Sequence, residues 1–172
     1  MEPYGKRTVE GDIGMRYGAM GIVEGMGLES LIQKSGPGLA GYLKKISHDP
    51  GYLPGEGESA FDGALAFGAV HLAVGRHAGT MESVYTPMGL AYCQCGKDLR
   101  EVKSIILTGG ALLKGEGLGQ VLKAASFDGA NPSSLKPKQL QASIDRRYIL
   151  AAMGLLSTVN PEAALTIMEK SC

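Results

Sequence analysis

The sequence predicts a helix-rich α/β fold, and three observations carry that prediction. Apolar residues recur at helical spacing through most of the chain. One short β-branched run, "VKSIILTGG", closes on two glycines and reads as a strand entering a turn. Glycine is overused, with 26 in 172 residues, about twice the usual ~7%. Many of these glycines fall in helix-like stretches, where each costs roughly 1 kcal/mol against alanine. They belong where backbones approach closely or where φ is positive.

Taken in order, residues 1–11 read as an irregular lead-in. "DIGMRYGAMGIVEGMGLESLIQK" places Ile13, Met20, Val23, Leu28, Leu31 and Ile32 at mostly helical spacing broken by glycine, which predicts one or two helices. "GPGLAGYLKKIS" reads as a short helix with Pro37 near its start. "HDPGYLPGEGE" is a Pro/Gly-dense loop. "SAFDGALAFGAVHLAVGRHAG" is the strongest helix, with Ser59 as N-cap and Asp62 completing a capping box. Its apolar residues occupy nearly every face from Phe61 to Val74, the pattern of a buried helix. "TMESVYTPMG" ends it. After the strand, "GLGQVLKAA" reads as a helix and "FDGANPSSLKPKQL" as a connection. Asp145 then caps "RRYILAAMGLLS", and Pro161 opens a last helix, "PEAALTIMEK". A lone strand is not stable. Its partners come either from the segments near Thr8 and Leu135 or from chain outside this sequence.

Length suits one domain, residues 1–172. The 17 basic and 17 acidic residues balance, and the Lys and Arg pairs are scattered, so no basic face marks a nucleic-acid binder. The three cysteines, Cys93, Cys95 and Cys172, make no disulfide framework, which points to a reduced, cytoplasmic protein. No apolar run approaches the ~20 residues of a membrane span, and the opening residues lack the pattern of a secretory signal.

The glycine turn fails both common phosphate fingerprints. Gly110 and Gly115 are spaced as in a Walker A loop, but Glu116 and Gly117 stand where Lys and Ser/Thr are needed. Gly115, Gly117 and Gly119 are spaced by two, which is no dinucleotide fingerprint. What remains is strand, double glycine, helix: a tight turn, or one that lets a flat group reach the backbone. Asp12 in "GDIGMR" reads as a helix N-cap ahead of a phosphate-orienting turn. "CQC" lacks the second ligand pair of a zinc site. His71 and His77 lie six positions apart on one helix and do not face one site; His71 reads as a core histidine. No activated nucleophile is apparent, and Glu56 and Glu58 read as solvated loop carboxylates.

"IILTGGALL" followed by "DRRYILAAMGLLS" resembles the end of the actin-like ATPase (ribonuclease H-like) fold, which includes actin, hexokinase and the heat-shock chaperones. In that fold a strand ends in two glycines facing the adenosine, and a later small-residue helix segment packs at the base of the cleft. "RTVEGDIGMR", "GKDLREVKSIILTGGALL" and "IDRRYILAAMGLLSTVNPEAAL" together resemble the glutamate mutase accessory family, often labelled MutL and unrelated to the mismatch-repair protein of that name. The resemblance spans nearly the whole chain in the family's order. It implies an actin-type ATPase that uses ATP with Mg to reactivate an adenosylcobalamin-dependent mutase, such as glutamate mutase or ornithine aminomutase, by exchanging damaged cobalamin. The family's two Asp-Gly phosphate turns belong upstream of "RTVEGDIGMR", and this sequence contains neither. The expectation is therefore a carboxyl-terminal portion of a larger ATPase, not catalytic alone. The resemblance assigns Gly109, Gly110 and Ala111 to the adenosine side and Glu10, Asp12 and Arg16 to cleft-facing polar positions. Gly154 is assigned to close helix packing. Gly110→Val is expected to weaken nucleotide binding, because a β-branched residue disfavours positive φ. A half-domain exposes the surface its other half covered, so self-association is also expected. The rival readings are a small-molecule kinase of the same fold and an interaction domain with no nucleotide role.

Overall fold

The computed structural model describes residue 5, residues 8–110 and residues 118–170. The chain is mixed α/β. Helices α1 (Ala19–Met26) and α2 (Leu28–Ser35) are separated only by Gly27, whose φ of 79° breaks what is otherwise one apolar stripe. Helix α3 (Leu39–His48) follows, close to its predicted span, and the Pro/Gly loop leads into α4 (Ser59–His77). Buried side chains of these elements build the main core: Ala19 and Ile22, Leu31, Leu39 with Tyr42, Leu43 and Ile46, and Ala64 and Leu65.

Helix α4 is the axis of this half. It packs against α1 and α2, and the approach requires glycine: a Cβ on Gly68 would stand 2.6 Å from Ile22 Cγ2 and 3.1 Å from Met26 Cγ. Two expectations for α4 are corrected. The helix starts at Ser59, so Ser59 is no cap, and no side chain caps its N-terminus. Asp62 points instead to Arg16 and Tyr42. Only Ala64–Gly68 are buried, because α4 has neighbours along part of its length rather than all round.

"TMESVYTPMG" is not merely a terminator. Thr80–Thr86 form β1, and Gly89–Cys95 form β2, an antiparallel hairpin. Nearly every residue of both strands is exposed. A strand solvated on both faces has no inside/outside alternation, so the period-2 signal is absent from the sequence.

Strand β3 (Ser104–Leu107) matches its prediction, and its partner is β4 (Gln141–Ile144), in parallel register from Ser104↔Gln141 to Leu107↔Ile144. The segments nominated as partners do other work. Leu135 N donates to Gly79 O at 2.9 Å and Leu135 O accepts from Leu99 N at 2.9 Å, while Thr8 pairs with His77. Helix α5 (Leu118–Ala125) buries Val121, Ala124 and Ala125 and packs on α4. The chain ends in α6 (Leu150–Ser157) and α7 (Pro161–Glu169), packed on each other. Asn160 caps α7 by accepting from Ala163 N at 3.0 Å. Among the described residues no helix is long and apolar enough to cross a membrane.

Candidate functional site

The parallel pair β3–β4 ends in two adjacent turns, and these build the site. Asp145 N donates to Leu107 O at 2.9 Å, which carries the pairing one residue past β4. The Asp145 carboxylate then turns to the next helix. It accepts from Ile149 N at 3.2 Å and from Leu150 N at 3.0 Å. That satisfies the first donors of α6 and sets a negative charge against the positive end of its dipole. Asp145 was expected to cap a helix starting at the arginines; α6 begins at Leu150 with Ile149 in the N-cap position, and Asp145 reaches that start only through its carboxylate.

On the β3 side, Gly109 has φ of 117°, a conformation L-residues rarely adopt. The positive φ was expected at Gly110 and belongs to Gly109. Gly110 is constrained differently: a Cβ there would stand 3.3 Å from the Tyr148 hydroxyl. Tyr148 is itself the one described non-glycine residue with positive φ, 55°. So the two segments that carry the resemblance, "TGG" and "DRRYIL", meet at the ends of paired strands. Ala111 lies outside the described residues.

The Asp145–Leu150 turn lines a cavity of about 330 Å³, and Gly109 and Gly110 are not among its lining residues. Ile106, Ile144, Leu150 and Met168 supply apolar lining, and Asp145, Arg146 and Arg147 supply charge. An apolar cleft with a few polar groups at the carboxyl ends of parallel strands is the usual setting for a small ligand.

Glu10, Asp12 and Arg16 do not line this cavity. Arg76 Nη1 donates to Glu10 Oε2 at 2.7 Å and to Asp12 Oδ1 at 2.8 Å, and Nη2 donates to Asp12 Oδ2 at 2.8 Å. Hydrogen bonding to Arg76 lowers the Asp12 pKa, and the two carboxylates raise that of Arg76. Asp12 therefore ties the lead-in to the end of α4 and caps no helix; α1 begins after Gly18 without a side-chain cap. Arg16 grips Asp62 through two 2.9 Å contacts, and that contact raises its pKa.

Other assignments shift as well. Glu58 is not free in solvent. It accepts from Lys45 Nζ at 2.7 Å, Tyr52 OH at 2.6 Å and Gly55 N at 2.9 Å. These donors, Lys45 first, hold its carboxyl down to about 2. His71 is half-buried and stacked on Phe67 at 5.9 Å, and burial lowers its pKa. Gly154 is exposed, with open space where a Cβ would stand, so its close-packing role has no partner among the described residues. Sequence reasoning missed Arg76, Tyr42 and Tyr148, whose roles come from partners far along the chain. It also missed Lys136, a buried lysine whose Nζ donates to His71 O and Ala124 O at 3.1 Å.

A family model described as MutL protein matches residues 1–172. The chain is 42% identical over 179 aligned positions to Protein MutL of Clostridium tetanomorphum, covering 98% of this chain and 37% of that protein. It thus spans little more than a third of the length of this curated relative. No solved structure matches it. The whole-chain family match and the identity agree with the three segments read from the sequence, and the chain belongs to the MutL protein family, distinct from the mismatch-repair protein of that name.

Proposed function

We propose that this chain supplies the adenosine-facing side of an ATP cleft in a larger, actin-like accessory protein that reactivates an adenosylcobalamin-dependent mutase, of the glutamate mutase or ornithine aminomutase class. The observation that carries this reading is the meeting of the Gly109–Gly110 turn and the Asp145–Leu150 turn at the ends of β3 and β4, beside the apolar cavity. Gly109 leaves open space where a side chain would stand, and Ile106, Ile144 and Leu150 give the cavity on the Asp145 side an apolar wall. Family membership supports the accessory role.

ATP hydrolysis rests on positioning and on charge stabilisation around magnesium and the γ-phosphate. Neither phosphate turn occurs in this sequence, so the division of labour follows: this chain holds the base, and the remainder of the larger protein supplies the phosphate chemistry. The exposed apolar helix α6, none of whose residues is buried, supports a neighbour in that larger protein.

The test is calorimetry of the larger protein with ATP and Mg. Gly109→Val is expected to weaken nucleotide binding at least tenfold, since a β-branched residue at positive φ must move the turn. Unchanged affinity would remove the turn from the site. The chain alone is expected to release no phosphate from ATP; sustained release abolished by a substitution within it would overturn the division of labour. Capture of a cobalamin mutase that depends on ATP would separate the accessory reading from a kinase.

A further inference from the structure

The hairpin β1–β2 carries chemistry that the nucleotide reading does not use. Cys93 and Cys95 are two positions apart on β2, so their side chains share one face. Both thiols are free and exposed. Glu82 stands directly across from Cys93, and Thr80 across from Cys95. The three acid groups are near enough to act on one another: Glu82 first, then burial and Cys93, raise the Cys95 pKa.

Two steps along a strand span about 6.6 Å between Cα atoms, at ~3.3 Å per residue. A disulfide tolerates Cα separations up to about 6.8 Å and prefers roughly 5.5–6 Å. On a regular strand the two Cβ atoms stay about as far apart as the Cα atoms, beyond the roughly 3.5–4.5 Å of a disulfide, so the bond closes only when the backbone around Gln94 leaves its extended form, and the product is strained. Strained, exposed disulfides are the readily reversed ones, while relaxed buried ones are structural.

We propose that Cys93 and Cys95 are a redox-active dithiol that cycles with small-molecule disulfides of the glutathione class. The thiolate of Cys93 attacks one sulfur of the small disulfide, whose S–S bond breaks and releases one thiol. Cys95 then attacks the Cys93 sulfur of the mixed disulfide and displaces the second thiol. The dithiol is oxidised to one intramolecular disulfide, the small disulfide is reduced to two thiols, and the two cysteine protons end on the released thiols. Closing the bond shortens the Cys93–Cys95 spacing and so pulls Cys95 out of register with Thr80, at the base of the hairpin.

The experiment uses the chain with Cys172→Ser, treated with glutathione disulfide and digested with trypsin without reduction. The peptide His77–Lys97 contains both cysteines and no other. It is expected to appear lighter by the two thiol hydrogens and to return to its reduced mass on adding excess reduced glutathione. The Cys95→Ser variant is expected to stop at one glutathione adduct on Cys93. An unmodified peptide, a stable adduct on either cysteine of the parent chain, or a disulfide between two chains would each overturn the proposal.

Discussion

Replacing Asp62 with alanine tests the junction that holds the lead-in, α3 and α4 together. Arg16 donates Nη1 to Oδ1 and Nη2 to Oδ2, both at 2.9 Å, and Tyr42 OH donates to Oδ1 at 2.6 Å. The Arg16 and Asp62 side chains are 21% and 15% exposed, and Tyr42 is 1% exposed. A surface ion pair contributes under ~1 kcal/mol. Breaking a fully buried one costs about 3–5 kcal/mol. The partial exposure places Asp62→Ala between these limits, at about 2–3 kcal/mol. Much of that comes from the Tyr42 hydroxyl, which is left buried without its acceptor. Tyr42→Phe removes donor and need together and is expected to cost only about 1 kcal/mol. With Asp62 gone, the hydroxyl has nothing to bond, so the double variant should cost less than the sum by about 1 kcal/mol. Urea unfolding followed by circular dichroism measures all four proteins. A loss below ~1 kcal/mol for Asp62→Ala, or strict additivity in the cycle, would refute the argument.

Three further outcomes follow from the same geometry. Glu58 is depressed to about 2 in the folded chain, so its stabilisation is present above the unfolded pKa, near 4.5, and fades as pH falls toward 2; the gap in urea midpoint between the parent chain and Glu58→Gln should hold steady above that range and narrow as pH falls through it. Gly68→Ala should destabilise despite the better helix propensity, because its Cβ meets Ile22 and Met26 across the α1–α4 contact. Gly63→Ala, on the same helix with open space around it, should instead stabilise by up to about 1 kcal/mol; thermal melts that move both variants in the same direction would contradict this division of the α4 glycines.

What could be read in the sequence was local, and what could not was relational. Helices α1 to α5 showed their apolar spacing, β3 its β-branched run, and α7 its Pro161 start. The hairpin was invisible because neither of its faces is buried, leaving nothing to set a period of two. Strand β4 was invisible because four residues, "QASI", carry no pattern and are recruited by β3. At the site, "TGG" and Asp145 were legible as turn and cap. Their meeting was suggested by resemblance, and the register of β3 on β4 supplies its physical basis. The partners of Glu10, Asp12 and Arg16 were not legible for a plain reason: a charged residue in a sequence does not name its counter-ion. Arg76 and Asp62 lie 46 to 66 residues away from the groups they hold.

Helix α6 is where sequence and burial disagree most. "LAAMGLLS" is apolar on every side, the pattern of a helix enclosed by protein, yet none of its residues is buried and Leu155 is 75% exposed. Nearby Val159 is 84% exposed, and Leu165 on α7 is 59% exposed. Eight residues are too few for a helix to persist in water on propensity alone. Within this chain the described support is the α7 contact and the Asp145 cap. Gly154 sharpens the point. A glycine costs such a short helix about 1 kcal/mol, and here no described neighbour requires it. A neighbour approaching α6 closely would give this glycine a use. That is the relation the proposed larger protein would supply. On that proposal Gly154 and Leu155 would face the same neighbour, and α6 would be enclosed on the sides that are exposed here.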